Sequence, residues 1–331
     1  MPKKTPDLAI LEQLSSEKRR AVSASSALIL LHRATLNIPS DERSWPSWAT
    51  WDQWFKAVSS LLNRMVKRGQ LVLLDRIDNV YKVAPPYASK DELTKCEILT
   101  AANPFAAISH LSALIHHRLT DVRTRQQTVI VPPLRAFFLT DPSATDPSIK
   151  EQAAIISSVY DGNPFLDNPA PSEVQDISFV AVGLEPKAIL EWRMRWIHVR
   201  PERYFGFQEQ MVDDCLVRVT TLERTLIDCL QEPIWGGGIE NVLRAWALSH
   251  NSINLDALVD VVNRFDIGVL RQRVGFILDE LELVHPSVEA WRSLYAQRGG
   301  SSKLLASAPY APTYSERWSL SINAPTTALK G

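Results

Sequence analysis

The chain has 331 residues, 45% hydrophobic and 22% charged, with 36 Lys or Arg against 37 Asp or Glu. That is globular composition at a length suggesting two domains, and it excludes a mainly disordered chain, a disulfide-stapled miniprotein and a fibrous repeat. No apolar run approaches the ~20 residues a membrane span needs, and the opening residues lack the apolar core of a secretory signal. Cys96, Cys215 and Cys229 are odd in number and form no CxxC pair. The expectation is a cytoplasmic protein with no metal, no cofactor and no membrane partner.

Charge is unevenly placed. Residues 1–88 carry thirteen Lys or Arg and eight Asp or Glu, a balance of +5, which leaves −6 for the remainder. A basic N-terminal piece on an acidic body suits a module that touches phosphates joined to one that does not. A surface of that size also shows such a difference by ordinary scatter, so charge alone leaves both readings open.

Leu8, Leu11 and Leu14 repeat at helical spacing and predict a first helix; the apolar run Ala27–Leu31 predicts part of a second. Residues 34–50, with Pro39 and Pro46, read as a loop. Thr50 can cap a helix from Trp51, with Asp52 in its first turn and Trp54, Val58, Leu61, Leu62 and Met65 on one face. Lys67 and Arg68 suit its C-terminal dipole, and Gly69 stops it. Leu71–Leu74, a turn at Asp78-Asn79 and Val80–Val83 read as a short hairpin. Helix, helix, insertion, long helix, glycine and hairpin is the order of a winged helix-turn-helix, which sets a helix in the major groove and a wing on the flanking backbone.

The candidate DNA-contacting residues follow from that order. Lys56, Ser59, Ser60, Asn63, Lys67 and Arg68 lie on the long helix, and Arg76 and Lys82 lie in the wing. Asn can read a base edge and Lys can meet a phosphate. The same module can instead bind protein, its charges merely solvated. Trp45, Trp48, Trp51 and Trp54 fit packing of the insertion better than base stacking, because their spacing is near the helical period.

Farther along, residues 101–117 are small and apolar at helical spacing, and their His110, His116 and His117 read as packing or interface side chains. Strands are expected at 128–133, 176–183 and 195–201, and within YFGFQEQ and CLVRVTT; 140–176 reads as loop or short helix. Thr221 caps a helix ERTLIDCL, in which Glu223 and Asp228 fall on different faces. A helix follows the triple glycine 236–238, and 255–262 and 269–283 are helical. The segment from Ser301 onward is polar, with a strand possible at 318–323. There is no GxGxxG, GxxxxGK[ST], GxSxG or HExxH, and Glu185-Pro186-Lys187 is an isolated ExK. No catalytic residue is assigned.

Four stretches in order resemble the AbiEi family, the antitoxin and transcriptional-regulator half of bacterial type IV toxin–antitoxin systems. They are LLNRMVKRGQLVLLDRIDNVYKV, NPFAAISHLSALIHHRLTDV, VRVTTLERTLIDCLQEPIWGGGIENVLRA and RQRVGFILDEL. Departures are Arg118 where the family has glycine, Asn79-Val80-Tyr81 in the wing, and the 34–50 insertion. The resemblance implies a mixed α+β (α/β) protein with a winged helix-turn-helix over 1–88 and an α/β antitoxin domain, helical at its C-terminal end, over 89–331. It implies binding to double-stranded DNA at its own promoter, as a homo-oligomer on inverted repeats, and action against an AbiEii-like nucleotidyltransferase toxin in phage defence by abortive infection. The alternative is a protein-interaction or toxin-modifying enzymatic component of a defence complex.

Overall fold

In chain order the computed structural model, which describes residues 2–47, 51–75, 77–131, 183–200, 203–295 and 302–330, opens with α1 (Pro6–Ser16), β1 (Ala21–Ser23), α2 (Ala24–Asn37) and α3 (Trp51–Lys67). Next come β2 (Leu71–Leu73), β3 (Val80–Val83), α4 (Lys95–Ala102), β4 (Ala107–Ile108), α5 (His110–His116) and β5 (Gln126–Val131). Then follow β6 (Ala188–Ile189), β7 (Trp192–His198), β8 (Phe207–Val212), β9 (Cys215–Thr220), α6 (Leu222–Gln231) and α7 (Ile239–Ser249). The described chain closes with α8 (Leu255–Phe265), α9 (Gly268–Glu280), α10 (Pro286–Tyr295), β10 (Ser302–Lys303), β11 (Tyr314–Ser315) and β12 (Leu320–Ser321). The fold class is mixed α+β. The expected strand at 176–183 and the loop at 140–176 lie outside the described residues, as do Trp48, Thr50, Arg76 and the end of the strand expected at 128–133.

Among the described residues the chain divides into two compact units. One holds residues up to Ala106, Val131–Tyr204 and Gln210–Val217; the other holds Ala107–Ile130, Phe205–Glu209 and everything from Arg218. In the first, three helices face a small antiparallel sheet of order β1-β3-β2. Register is Ala21↔Lys82, Val22↔Tyr81 and Ser23↔Val80 on one side of β3, and Leu71↔Val83, Val72↔Lys82 and Leu73↔Tyr81 on the other. The sequence reading missed β1 because three residues carry no periodicity; its pairing with β3 makes it a strand. Ser23 then starts α2 through a capping box, its hydroxyl accepting from the Ser26 N–H while the Ser26 hydroxyl accepts from the Ser23 N–H. Trp45 is buried, and its indole N–H donates to the Thr35 hydroxyl at 2.7 Å. With Trp54 buried on α3, this supports packing over stacking for these two tryptophans.

α4 joins the same unit through a clasp. Thr94 and Glu97 form a second capping box, and the Glu97 carboxylate also takes the Arg20 guanidinium on both oxygens at 2.7 Å. The helical stretch expected over 101–117 is in fact two helices separated by a strand. Pro104 disfavours helical backbone at Asn103, which is extended at φ −141°, ψ 100°. The Asn103 side chain then accepts from the Phe105 N–H, and Ala107–Ile108 leaves as β4.

In the second unit β4 pairs antiparallel with β5 and parallel with β9. Behind it the helices α6–α10 surround one apolar core containing Leu226, Trp246, Val262, Ile277 and Trp318. The polar segment after Ser302 completes that core. It forms a small sheet of order β10-β12-β11, and Trp318 lies fully buried against Gly275 of α9. A Cβ at Gly275 would stand 2.2 Å from the Trp318 ring. The indole N–H of Trp318 donates to Asp279 at 2.6 Å.

Candidate functional site

α3 is 17 residues long and divides sharply into two faces. Trp54, Val58, Leu61, Leu62 and Met65 are all buried, and the helix packs on α2 and β2. Burying side chains of this size contributes roughly 1.5–3 kcal/mol each, which fixes the rotation of the helix about its axis. The opposite face is therefore set by the apolar one. Lys56, Ser60, Asn63 and Lys67 step along it at intervals of four, three and four, and all are exposed. Ser59 is half-buried at the edge. Gly69, with φ +71°, ends the helix in the left-handed conformation that favours glycine.

The remaining sequence candidates have other placements. Arg68 is turned back to α1, where its Nη1 donates to Asp7 Oδ2 at 3.1 Å beside the Gln70 amide at 3.2 Å. Lys82 donates its ammonium to the backbone carbonyls of Lys90 and Asp91, so it braces the loop after β3. Arg76 lies outside the described residues. The structure thus brings together Lys56, Ser59, Ser60, Asn63 and Lys67 and sets Arg68 and Lys82 apart. One residue was overlooked: Arg64 is exposed on the same face, four positions after Ser60, whose hydroxyl accepts from it at 2.9 Å. Its helical spacing was the signal.

Electrostatics locate the structural carboxylates of this unit. For Asp7, burial pushes the carboxyl up, but hydrogen bonds from Thr5, Gln70 and nearby backbone outweigh it and hold the group below its usual range. Glu97 behaves alike: burial opposes its charge, and Arg20 with Thr94 overcomes it. Both are ties of the framework, neither on the α3 face.

The features that hinted at chemistry resolve as structure. His117 Nε2 lies 2.8 Å from the Thr220 carbonyl oxygen, and burial lowers its pKa; His110 is buried with its Nδ1 3.0 Å from the Ser109 hydroxyl. Glu223 accepts from the Asn254 N–H at 2.9 Å, and Asp228 pairs with Arg224 at 2.8 Å. The triple glycine makes a turn: Gly236 is buried, Gly237 and Gly238 have φ +87° and +95°, and Asn241 donates to the Gly236 carbonyl. Burial pushes the Cys96 thiol up to about 11 and Cys229 well above its ordinary value, away from thiolate chemistry. Among the described residues no group of three His, Cys, Asp or Glu side chains could hold a metal ion, and no helix is long and apolar enough to cross a membrane.

No family model matches this chain, and no curated protein matches it. Among solved structures it is similar to the crystal structure of the RV2827C protein from Mycobacterium tuberculosis. That likeness has 10% sequence identity and a TM-score of 0.46, and it covers 98% of this chain and 93% of that one.

Proposed function

We propose that this chain is a DNA-binding transcriptional autorepressor that also acts as the antitoxin against a nucleotidyltransferase toxin. In this reading α1 to β3 form a winged helix-turn-helix, α3 enters the major groove and the β2–β3 hairpin is the wing. The observation that carries it is the outward face of α3. Between Gln53 and Lys67 there is no carboxylate, while Lys56, Ser60, Asn63, Arg64 and Lys67 are exposed together. A neutral or acidic face would favour the protein-interaction reading instead. A basic stripe with one carboxamide supplies what groove binding requires: cations that release counterions from phosphates, and a bidentate partner for adenine.

Lys56, Arg64 and Lys67 would set affinity and its salt dependence, and Asn63 would set preference among sequences, worth about 1–3 kcal/mol at its base pair. A homo-oligomer would present two such helices to an inverted repeat. The antitoxin half is supported by the order of the family-like stretches and by the acidic balance of residues outside 1–88. The test is a gel-shift titration of the full chain on its own upstream promoter against scrambled DNA at two salt concentrations. Sequence-preferring, salt-sensitive binding is expected. Equal binding to both DNAs overturns the promoter reading, and binding to neither leaves α3 as a protein-binding face. Co-expression with the cognate toxin tests the second half: growth must be restored by the full chain and by promoter-binding variants alike.

A further inference from the structure

α10 is held to α8 at two points. Trp291, buried with Val288, donates its indole N–H to Asn263 at 3.1 Å. At the start of the helix, His285 Nε2 lies 3.0 Å from Asp256 Oδ1. Asp256 and Asn263 stand two turns apart on α8, so the attachments are spaced along one face.

His285 is also the residue that starts α10. Pro286 follows it at the first helical position, where no N–H is needed. The His285 carbonyl accepts from the N–H groups of Val288 and Glu289, and its ring Nδ1 accepts from the Ser287 N–H at 3.1 Å. A backbone N–H only donates, so Nδ1 is the nitrogen without a hydrogen, and Nε2 carries the one that goes to Asp256. Two partners thus assign one tautomer. The usual capping side chains, Ser, Thr, Asp and Asn, keep their acceptor oxygen at neutral and mildly acidic pH. Imidazole does not: it is the side chain that changes charge between about pH 5 and pH 8.

We infer that His285 is an acid-sensitive cap: a proton on Nδ1 turns the acceptor of the Ser287 N–H into a donor, and the first turn of α10 opens while the ring stays on α8 through Asp256. An imidazolium there also meets the positive end of the helix dipole. The charged groups placed around it are Asp256 and, one turn on, Asp260 of α8; Glu280 at the end of α9 and Glu282 just after it; and Glu289 of α10, which Arg292 and Arg317 take. The surroundings are acidic, so they favour the proton and the cost falls on the cap. Asp256 is 90% exposed, so its pairing with the ring is too weak to replace the lost cap. Opening from this end uncovers Val288 and then Trp291, which bares an apolar face of the second unit to a mildly acidic medium. The inference does not depend on what α3 binds.

The experiment is hydrogen–deuterium exchange of the full chain at pH 7.5 and pH 5.5, read by mass spectrometry on peptides spanning α10 and corrected for the intrinsic pH dependence of exchange. The opening equilibrium of α10 is expected to rise about fivefold on acidification, the effect of losing one N-cap. His285→Asn supplies an acceptor that does not titrate, so its α10 should stay as closed as the parent at pH 7.5 and change less than twofold at pH 5.5. His285→Ala has no acceptor at either pH and should be as open at pH 7.5 as the parent is at pH 5.5. The inference is overturned if α10 of the parent opens no more at pH 5.5, or if His285→Asn opens as the parent does. Should His285→Asn fail to fold, His285→Ala decides: an acid-induced opening equal to that of the parent overturns it.

Discussion

α3 and α6 carry similar letters and use them in opposite ways. Each is amphipathic and each has charged residues at helical spacing. On α3 the cations stand outside, opposite a buried stripe. On α6 the charges are inside: Arg224 is 1% exposed and Asp228 6%, joined at 2.8 Å. The Arg224 guanidinium lies 4.7 Å from the ring centre of Phe205 and 4.5 Å from that of Phe265, and its Nη1 donates to the Phe205 carbonyl. Arg264 lies over the Phe205 ring as well, at 4.0 Å. The lesson is that a charged residue on a helix declares a solvent face only when the opposite face is already taken. On α3 five apolar residues take it. On α6 core surrounds the helix, and its charges survive there because they answer one another.

The contrast is most exposed to refutation at Arg224. Arg224→Ala leaves Asp228 buried without its partner, and breaking such a pair costs about 3–5 kcal/mol. Urea unfolding should show a loss of that order in the second unit; a loss under about 1 kcal/mol would make the α6 pair as dispensable as a surface one. The reverse holds on α3. Lys56→Ala, Asn63→Ala and Lys67→Ala combined should leave stability within about 0.5 kcal/mol per site. Promoter affinity should fall at least tenfold, with the salt slope reduced by about two, one for each lysine. An unchanged slope would show that these lysines meet no phosphate.

Glu97 gives an intermediate case, a charge half-way between surface and core. Its carboxyl is held below its usual range, so its contribution is complete above the unfolded value of about 4.3 and is lost as pH falls through the lower folded value. Glu97→Gln should therefore flatten the acid limb of stability below about pH 4.5, read by urea titrations between pH 6 and pH 3; an unaltered limb would locate the acid sensitivity elsewhere. The smallest effect is expected at Arg68. With its guanidinium on Asp7 and the side chain 61% exposed, Arg68→Ala should cost under about 1 kcal/mol and leave the salt slope of promoter binding unchanged. Lys67→Ala, one residue earlier, should reduce that slope by about one.

How much of this was legible follows the same division. α3 could be read to within a residue at its C-terminal end because its apolar spacing, basic last turn and Gly69 all agree. The exposed stripe was legible with it. The diversion of Arg68 and Lys82 was not, since their partners lie 61 and 8–9 positions away and nothing local announces them. On α6 the interval from Arg224 to Asp228 was visible, but its burial depends on Phe205 and Phe265, which only the tertiary fold brings near. The helix expected over 101–117 is broken because Pro104 forces Asn103 out of helical backbone, a local constraint that the small, apolar composition of the stretch masks. α10 and the C-terminal sheet were missed or half-seen, the latter because strands of two residues have no period to detect.

The C-terminal segment has a consequence for biosynthesis. Leu329 is buried within a 3-10 turn, Thr326–Lys330, that packs on α7, and eighty residues separate it from the end of that helix at Ser249. At a synthesis rate of about 5–20 residues per second, α7 is complete about 4–16 s before its cover is made. Through that interval Trp246 on α7 lacks its cover, and once Gly275 has been made its recess stays unfilled until Trp318 follows 43 residues later. A chaperone or a neighbouring nascent chain meets the protein at its stickiest then, so slowing translation over the codons of residues 301–330 should raise aggregation, read as the insoluble fraction, more than slowing it over residues 1–100.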